Sequence, residues 1–285
     1  MPTNKKVLSN GKIKINAKKP TDYHCTCSYC RNYYRGELLP NTPDGGKYLS
    51  GRTREGYSQY EKSVKHLCPG HWSGYSFTVD NYTDKGDLVL DPFAGSGTAL
   101  VEALKLGRKV KGIELEFFPI LKENVKLYPK KDWEIFKGDS RKLIKNIQDG
   151  SIDLIVTGPP YNDGSDPPER KDLAGKDSTF GYNNNDSFGL LKKDYNSEFE
   201  SIFREFYKKL KVGGKFVTII KDPTRNKTPY LLHHELGMLA EKAGFKPVDV
   251  YIHRHWPPTL FMNTYPKRFP DVKIPLYQTI LTMEK

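Results

Sequence analysis

Two short segments combine residue types that could do chemistry: Asp91-Pro-Phe-Ala-Gly-Ser-Gly-Thr98 and Thr157-Gly-Pro-Pro-Tyr161, about sixty residues apart, each closing an apolar run. In the first, Gly95 and Gly97 let a ligand come close to backbone where a side chain would collide. The helix expected from Thr98 offers unpaired amides to an anionic group. The second segment sets main-chain carbonyls beside the ring of Tyr161, a surface suited to a planar base carrying an amino group. A phosphate-binding loop would need Gly-Lys-Ser/Thr, and a dinucleotide fingerprint would want a further Gly near Leu100; neither is present. An ordinary tight turn is the plain alternative for the first segment.

The pattern of elements places both segments at equivalent points of a sheet. Asp87 to Asp91, Lys109 to Glu114, Trp133 to Phe136 and Ile152 to Val156 are short apolar strands. Helices are expected over Thr98 to Leu106, ended by Gly107, and over Phe117 to Lys126. Later come an amphipathic helix from Glu198 to Leu210, a strand from Lys215 to Ile220 and a helix from Leu231 to Ala243. Two final strands, Val248 to His253 and Tyr277 to Met283, close the chain. Strands alternating with helices imply a parallel sheet covered on both faces, whose ligands bind beyond the carboxyl ends of the strands. The stretch from Val7 to Ile15 reads as a short strand or arm. Residues 162–196, crowded with Asn, Asp, Gly and Lys, read as a substrate-facing loop.

The segment from Asp91 to Thr98 resembles motif I of the S-adenosylmethionine-dependent amino-methyltransferases that modify cytosine N4 or adenine N6. Leu210-Lys-Val-Gly-Gly-Lys-Phe-Val, Gly244-Phe245 with Val248 to Trp256, and Tyr277-Gln-Thr-Ile-Leu-Thr-Met are similar to later segments of that family. The resemblance covers about residues 62–285 and implies an α/β fold with a Rossmann-like, doubly wound, mostly parallel seven-stranded sheet. Residues 1–61 remain as a basic, Cys-containing extension. The resemblance also implies a bed for S-adenosylmethionine made by Asp91, Pro92, Phe93, Ala94, Gly95, Ser96, Gly97 and Thr98. Glu114 would meet the ribose hydroxyls, and Asp139 with Ser140 would meet the adenine. His66 to Tyr75 would fold over the methionine moiety.

The catalytic segment implied by the resemblance is Thr157, Gly158, Pro159, Pro160 and Tyr161. The nitrogen of an exocyclic amine is a poor nucleophile because its lone pair is delocalised into the ring. Acceptors on its N–H groups return that lone pair, and proximity and electrostatics supply most of the acceleration. Carbonyls of Gly158 or Pro159 would accept, and Tyr161 would stack on the base; a DNA substrate would have to be flipped out. The family has Asp, Ser or Asn where this chain has Gly158. Thr157 or another residue substitutes, or backbone acceptors suffice, or the catalyst has been lost. A further reading is that Gly158 leaves room for an amine already carrying one methyl, so that the product is dimethylated. The Thr-x-Pro-Pro-Tyr-Asn pattern is closer to cytosine-N4 than to Asp-type adenine sites.

The chain has 285 residues and a net charge of +12, with 14 Lys/Arg against 7 Asp/Glu before residue 86. That excess favours an anionic partner, and the 18 Tyr and 14 Phe include rings that could stack on unpaired bases. The expected partner is nucleic acid. DNA is the first reading, with cytosine N4 as the target. Structured RNA such as rRNA or tRNA is the second, because no large insertion for reading the major groove follows Trp256. A non-catalytic nucleic-acid-binding relic is the third. No apolar run approaches the roughly 18 residues of a membrane helix and no secretory signal opens the chain, so a cytoplasmic location is expected. There cysteines are reduced or metal-bound. Cys25, Cys27 and Cys30 stand within six residues, and with Cys68, His66 or His71 as a fourth ligand they could hold a structural zinc. A reduced cluster without metal is the alternative.

Overall fold

The computed structural model describes residues 5–7, 13–15, 25–38, 72–115, 117–160, 195–225, 227–254 and 277–285. Its centre is an eight-stranded sheet. Among the described residues the strands, in chain order, are β1 (Lys5–Val7), β2 (Ile13–Ile15), β3 (Tyr34–Leu38), β4 (Leu88–Asp91), β5 (Lys109–Glu114), β6 (Trp133–Lys137), β7 (Ile152–Thr157), β8 (Leu210–Ile220), β9 (Thr224–Arg225), β10 (Thr228–Pro229), β11 (Lys246–Arg254) and β12 (Tyr277–Glu284). The large sheet has the order β3-β11-β12-β8-β7-β4-β5-β6, and every pairing in it is parallel except the two made by β12. β1 pairs with β2, and β9 with β10, as separate antiparallel ribbons.

Alternation along the strands divides the core into two layers. Leu90, Ile155 and Phe216 face one side, while Val89, Leu154, Val156 and Val217 face the other. The second face is covered by α2 (Trp72–Tyr82), α3 (Thr98–Lys105) and α4 (Phe118–Val125). The first is covered by α6 (Tyr195–Lys209) and α7 (Leu232–Lys242), together with the short helices α1 (Ser28–Tyr33) and α5 (Ser140–Leu143). α6 has a fully apolar seam of Phe199, Phe203 and Phe206, whose rings meet one another and Phe216 edge-on or tilted. Three such buried rings contribute several kcal/mol through area alone.

The sheet therefore has one strand more than the seven expected. The eighth, β3, comes from the amino-terminal extension and adds to the edge beside β11. Its sequence, Tyr-Arg-Gly-Glu-Leu, has no apolar alternation to betray it. It is held by pairing and by Arg35, which donates to Asp249, an acceptor also of Tyr82 Oη at 2.9 Å. The stretch between the expected helix, ending at Leu210, and the expected strand, starting at Lys215, is instead part of one strand, β8, with a register shift opposite β7. Among the described residues no helix is long and apolar enough to cross a membrane.

Candidate active site

The chain leaves β4 toward β5 and β6 on one side, and returns to β7 and β8 on the other. The strand order thus reverses between β4 and β7, where a ligand crevice opens in sheets of this kind. Asp91 ends β4 and Thr157 ends β7, and the two strands pair directly. Thr157 Oγ1 donates to Asp91 Oδ1 at 2.7 Å, joining the two segments singled out in the sequence. Phe93 N donates to the same oxygen at 3.0 Å. Burial, aided by the nearby charge of Glu114, pushes the Asp91 carboxyl up to about 7 against those two hydrogen bonds.

The loop after β4 is tied down by backbone. Ala94 N donates to Ile113 O at 3.0 Å, and Gly97 N to Ala94 O at 2.7 Å. Asn124 of α4 donates its side-chain amide to Ser96 O at 2.7 Å, and the Ser140 hydroxyl donates to Pro92 O. The two glycines have different tasks. A Cβ on Gly95, at φ +55°, would meet nothing within 4 Å, so open space lies over it. A Cβ on Gly97, at φ +92°, would stand 2.7 Å from Leu121 Cδ1. α3 begins immediately after Gly97 without a side-chain cap, so a helix N-terminus faces the end of the loop. These features fit the carboxylate end of a nucleotide-like cofactor.

Glu114 and Asp139 are placed at strand ends, as expected, but already have protein partners. Glu114 Oε2 accepts from Gly95 N at 2.6 Å and Oε1 from Phe117 N at 2.9 Å, so this carboxylate braces the loop. Asp139 caps α5 by accepting from Arg141 N at 2.9 Å, and Arg141 also donates Nη2 to its Oδ2 at 2.7 Å. Arg141 continues to Glu198 on α6, at 3.0 Å. Ser140 is buried and spends its hydroxyl on Pro92 O.

At the second segment, the buried Thr157 hydroxyl donates to Asp91. The space beside Gly158 is occupied: a Cβ there would lie 2.9 Å from Tyr75 Oη and 3.4 Å from Ile219 O. Pro160 O accepts from Tyr195 Oη at 2.9 Å, which fixes the Pro-Pro turn to α6. Tyr161, the 162–196 loop as far as residue 194, and Trp256 lie outside the described residues, as do His66, Cys68 and His71.

Tyr75 closes the segment expected over the methionine moiety, but its place beside Gly158 was not legible, nor were Tyr195 and Asn124 as site residues. Each sits on a helix face whose other members are core, and spacing alone gives no reason to single it out. Cys25, Cys27 and Cys30 are brought together as expected, but the group that joins them among the described residues is His233. The four ligand atoms lie within 4.8 Å of one another, an arrangement that could hold a metal ion. The pattern Asp222-Pro223 followed by His233-His234 was a weak signal at most; nothing in it points to residue 25.

Residues 75–120 match the N6/N4 methyltransferase family, described as DNA methylase. A tRNA (guanine(10)-N2)-dimethyltransferase from Methanothermobacter thermautotrophicus is 38% identical over 78 residues, covering 27% of this chain and 22% of that protein. The type II methyltransferase M.BamHI from Bacillus amyloliquefaciens is 52% identical over 44 residues, or 15% of this chain and 10% of that protein. Each of these matches therefore spans less than a quarter of the relative's length. An S-adenosylmethionine-dependent methyltransferase structure from Aquifex aeolicus gives a TM-score of 0.46 at 16% identity, covering 74% of this chain and 89% of that one.

Proposed function

We propose that this chain, assigned by its matched segment and its sheet to the S-adenosylmethionine-dependent nucleic-acid amino-methyltransferases, methylates an exocyclic amino group of a nucleobase in DNA, with cytosine N4 as the target. The observation that carries this reading is the Thr157–Asp91 hydrogen bond across the point where strand order reverses. It locks the cofactor loop and the Pro-Pro turn into one rigid unit.

S-adenosylmethionine supplies an electrophilic methyl on a sulfonium. Gly95 gives the open approach over the loop, the first amides of α3 receive the methionine carboxylate, and Asp91 stands near its ammonium end. Glu114 keeps lone pairs for the ribose while holding Gly95 and Phe117. On the other side, the carbonyls of Gly158 and Pro159 accept from the target amine and Tyr161 stacks on the base. Tyr75 takes the place of the absent side chain at position 158. Its hydroxyl lies where the acceptor of an Asp, Ser or Asn would begin, on a helix packed across β7 and β8.

The name of the tRNA-modifying relative favours a second reading, in which the amine belongs to structured RNA. Transfer of labelled methyl groups to total DNA and to total RNA, followed by digestion and mass spectrometry of the nucleosides, distinguishes the two. Label in DNA as N4-methylcytosine is expected. Label only in RNA replaces the first reading by the second. No label in either pool, from protein that still binds S-adenosylhomocysteine, leaves the non-catalytic relic. Tyr75→Phe is expected to lower kcat at least tenfold with KM for the cofactor unchanged. Gly158→Asp is expected to be inactive alone, through collision with Tyr75, and partly restored when combined with Tyr75→Ala.

A further inference from the structure

The geometry points to a structural zinc held by Cys25, Cys27, Cys30 and His233, with Asp222 orienting the imidazole, which fastens the amino-terminal segment to the catalytic sheet. A tetrahedral zinc with bonds of about 2.3 Å to sulfur and about 2.0–2.1 Å to nitrogen puts each sulfur about 3.6 Å from the nitrogen. His233 Nε2 lies 3.6 Å from Cys25 Sγ, 3.3 Å from Cys27 Sγ and 3.5 Å from Cys30 Sγ. Hydrogen bonding gives a poorer account of the same distances. One ring nitrogen carries at most one proton, and a single proton cannot satisfy three sulfurs converging on it from different directions. A cation at the centre of the group can.

The other side of the imidazole is arranged as a metal-ligating histidine requires. His233 Nδ1 faces Asp222 Oδ2 at 2.7 Å and Oδ1 at 2.9 Å, and Asp222 Oδ1 also accepts from His233 N at 3.1 Å. Asp222 and the imidazole have no exposed side-chain surface. The carboxylate fixes the tautomer with Nδ1 protonated, which leaves the Nε2 lone pair aimed at the sulfurs. Cys30 N donates to Cys27 Sγ at 3.5 Å within the first turn of α1, relieving charge on that sulfur. Three sulfurs and one nitrogen select zinc over the harder ions that want oxygen. On binding, each thiol gives its proton to solvent and its lone pair to the metal.

The role of the site follows from what it joins. Cys25 to Cys30 lead into α1 and β3, the edge strand with little apolar pattern of its own. His233 begins α7, and Asp222 stands two residues past β8, the neighbour of the strand that carries the Pro-Pro turn. The ion would replace the large core that this polar segment lacks.

The test uses the full chain, purified without a metal-binding tag and dialysed against a weak chelator. Elemental analysis is expected to find about one zinc per chain; less than about a tenth of an equivalent overturns the proposal. Cobalt exchanged into the site is expected to give thiolate charge-transfer bands and the intense ligand-field bands of a tetrahedral ion. Octahedral bands overturn it. His233→Cys is expected to keep one metal while the cobalt spectrum moves to that of four thiolates. Unchanged bands in His233→Cys and His233→Ala would assign the fourth position to another group, such as Cys68, and reject His233. Asp222→Asn is expected to weaken zinc about 10- to 100-fold without altering the ligand spectrum. Should the variants fail to fold, the native protein still decides: stripping the metal is expected to raise hydrogen exchange in residues 28–38, and unchanged exchange rejects the fastening role.

Discussion

The two flanks of the sheet hold their loops with different means. On the β4-β5-β6 flank the contacts that shape the cofactor loop are short in sequence: 19 residues separate Gly95 from Glu114, and 28 separate Ser96 from Asn124. On the β3-β11 flank they span most of the chain, 208 residues from Cys25 to His233, 212 from Tyr29 to Glu241 and 214 from Arg35 to Asp249. Closing a long loop costs only slightly more entropy than closing a short one, but the cost is met by few side chains here. The first flank is stabilised by backbone geometry that glycine permits. The second depends on individual polar bonds, so each of its side chains matters more.

This contrast can be broken most sharply at the two glycines. Gly97→Val is expected to collapse the cofactor loop, because positive φ strain and collision with Leu121 together cost roughly 3 kcal/mol or more. Calorimetry should show S-adenosylhomocysteine binding weakened at least about 100-fold, with a lower melting temperature. Gly95→Ala, facing open space, should weaken binding while leaving the melting temperature nearly unchanged. Equal loss of stability in both variants would erase the distinction drawn between them.

Thr157→Val removes a buried hydrogen bond to a carboxylate, worth about 1.5–3 kcal/mol. Methyl transfer should fall about tenfold or more, through loss of register between the two segments, and the urea midpoint should drop. On the opposite flank, Tyr29→Phe removes the bond from Tyr29 Oη to Glu241 Oε2 at 2.5 Å. A loss of about 1 kcal/mol in urea unfolding is expected, with methyl transfer unaffected.

A smaller effect concerns pH. The Asp91 carboxyl is pushed up to about 7 by burial, above its ordinary value of 3.8. Between those values the folded chain keeps a proton that the unfolded chain has lost. Stability from this group is therefore full in acid, falls as pH rises toward 7, and levels off above it. On the proposed reading ionised Asp91 would also attract the ammonium group of the cofactor, so binding should strengthen as pH passes 7. Asp91→Asn should flatten both profiles; an unchanged profile would remove Asp91 from the cofactor end of the site.

Several parts of this architecture were written in local pattern. Apolar runs and the turns that close them located β4, β5, β6, β7 and the helices α3 and α4 to within a few residues, but not α5. The residues at their carboxyl ends, from Asp91 to Thr98 and from Thr157 to Pro160, could be named for the same reason. Each such strand carries its own burial signal and each turn its own backbone requirement. What adjoins Gly158, by contrast, is a hydroxyl from Tyr75, eighty-odd residues earlier, and no periodicity forecasts it.

The residue types and spacings alone determined the parallel, helix-covered sheet and the two segments at the carboxyl ends of its strands, because each strand and turn arises from interactions among near neighbours. Only tertiary structure decided that Thr157 turns to Asp91, that Asp139 is engaged by Arg141, that a polar stretch becomes an eighth strand, and that His233 completes the group of three cysteines. Those outcomes depend on which surfaces remain unburied after the local elements have formed, and a side chain distant in sequence fills whichever of them the packing brings within hydrogen-bonding reach.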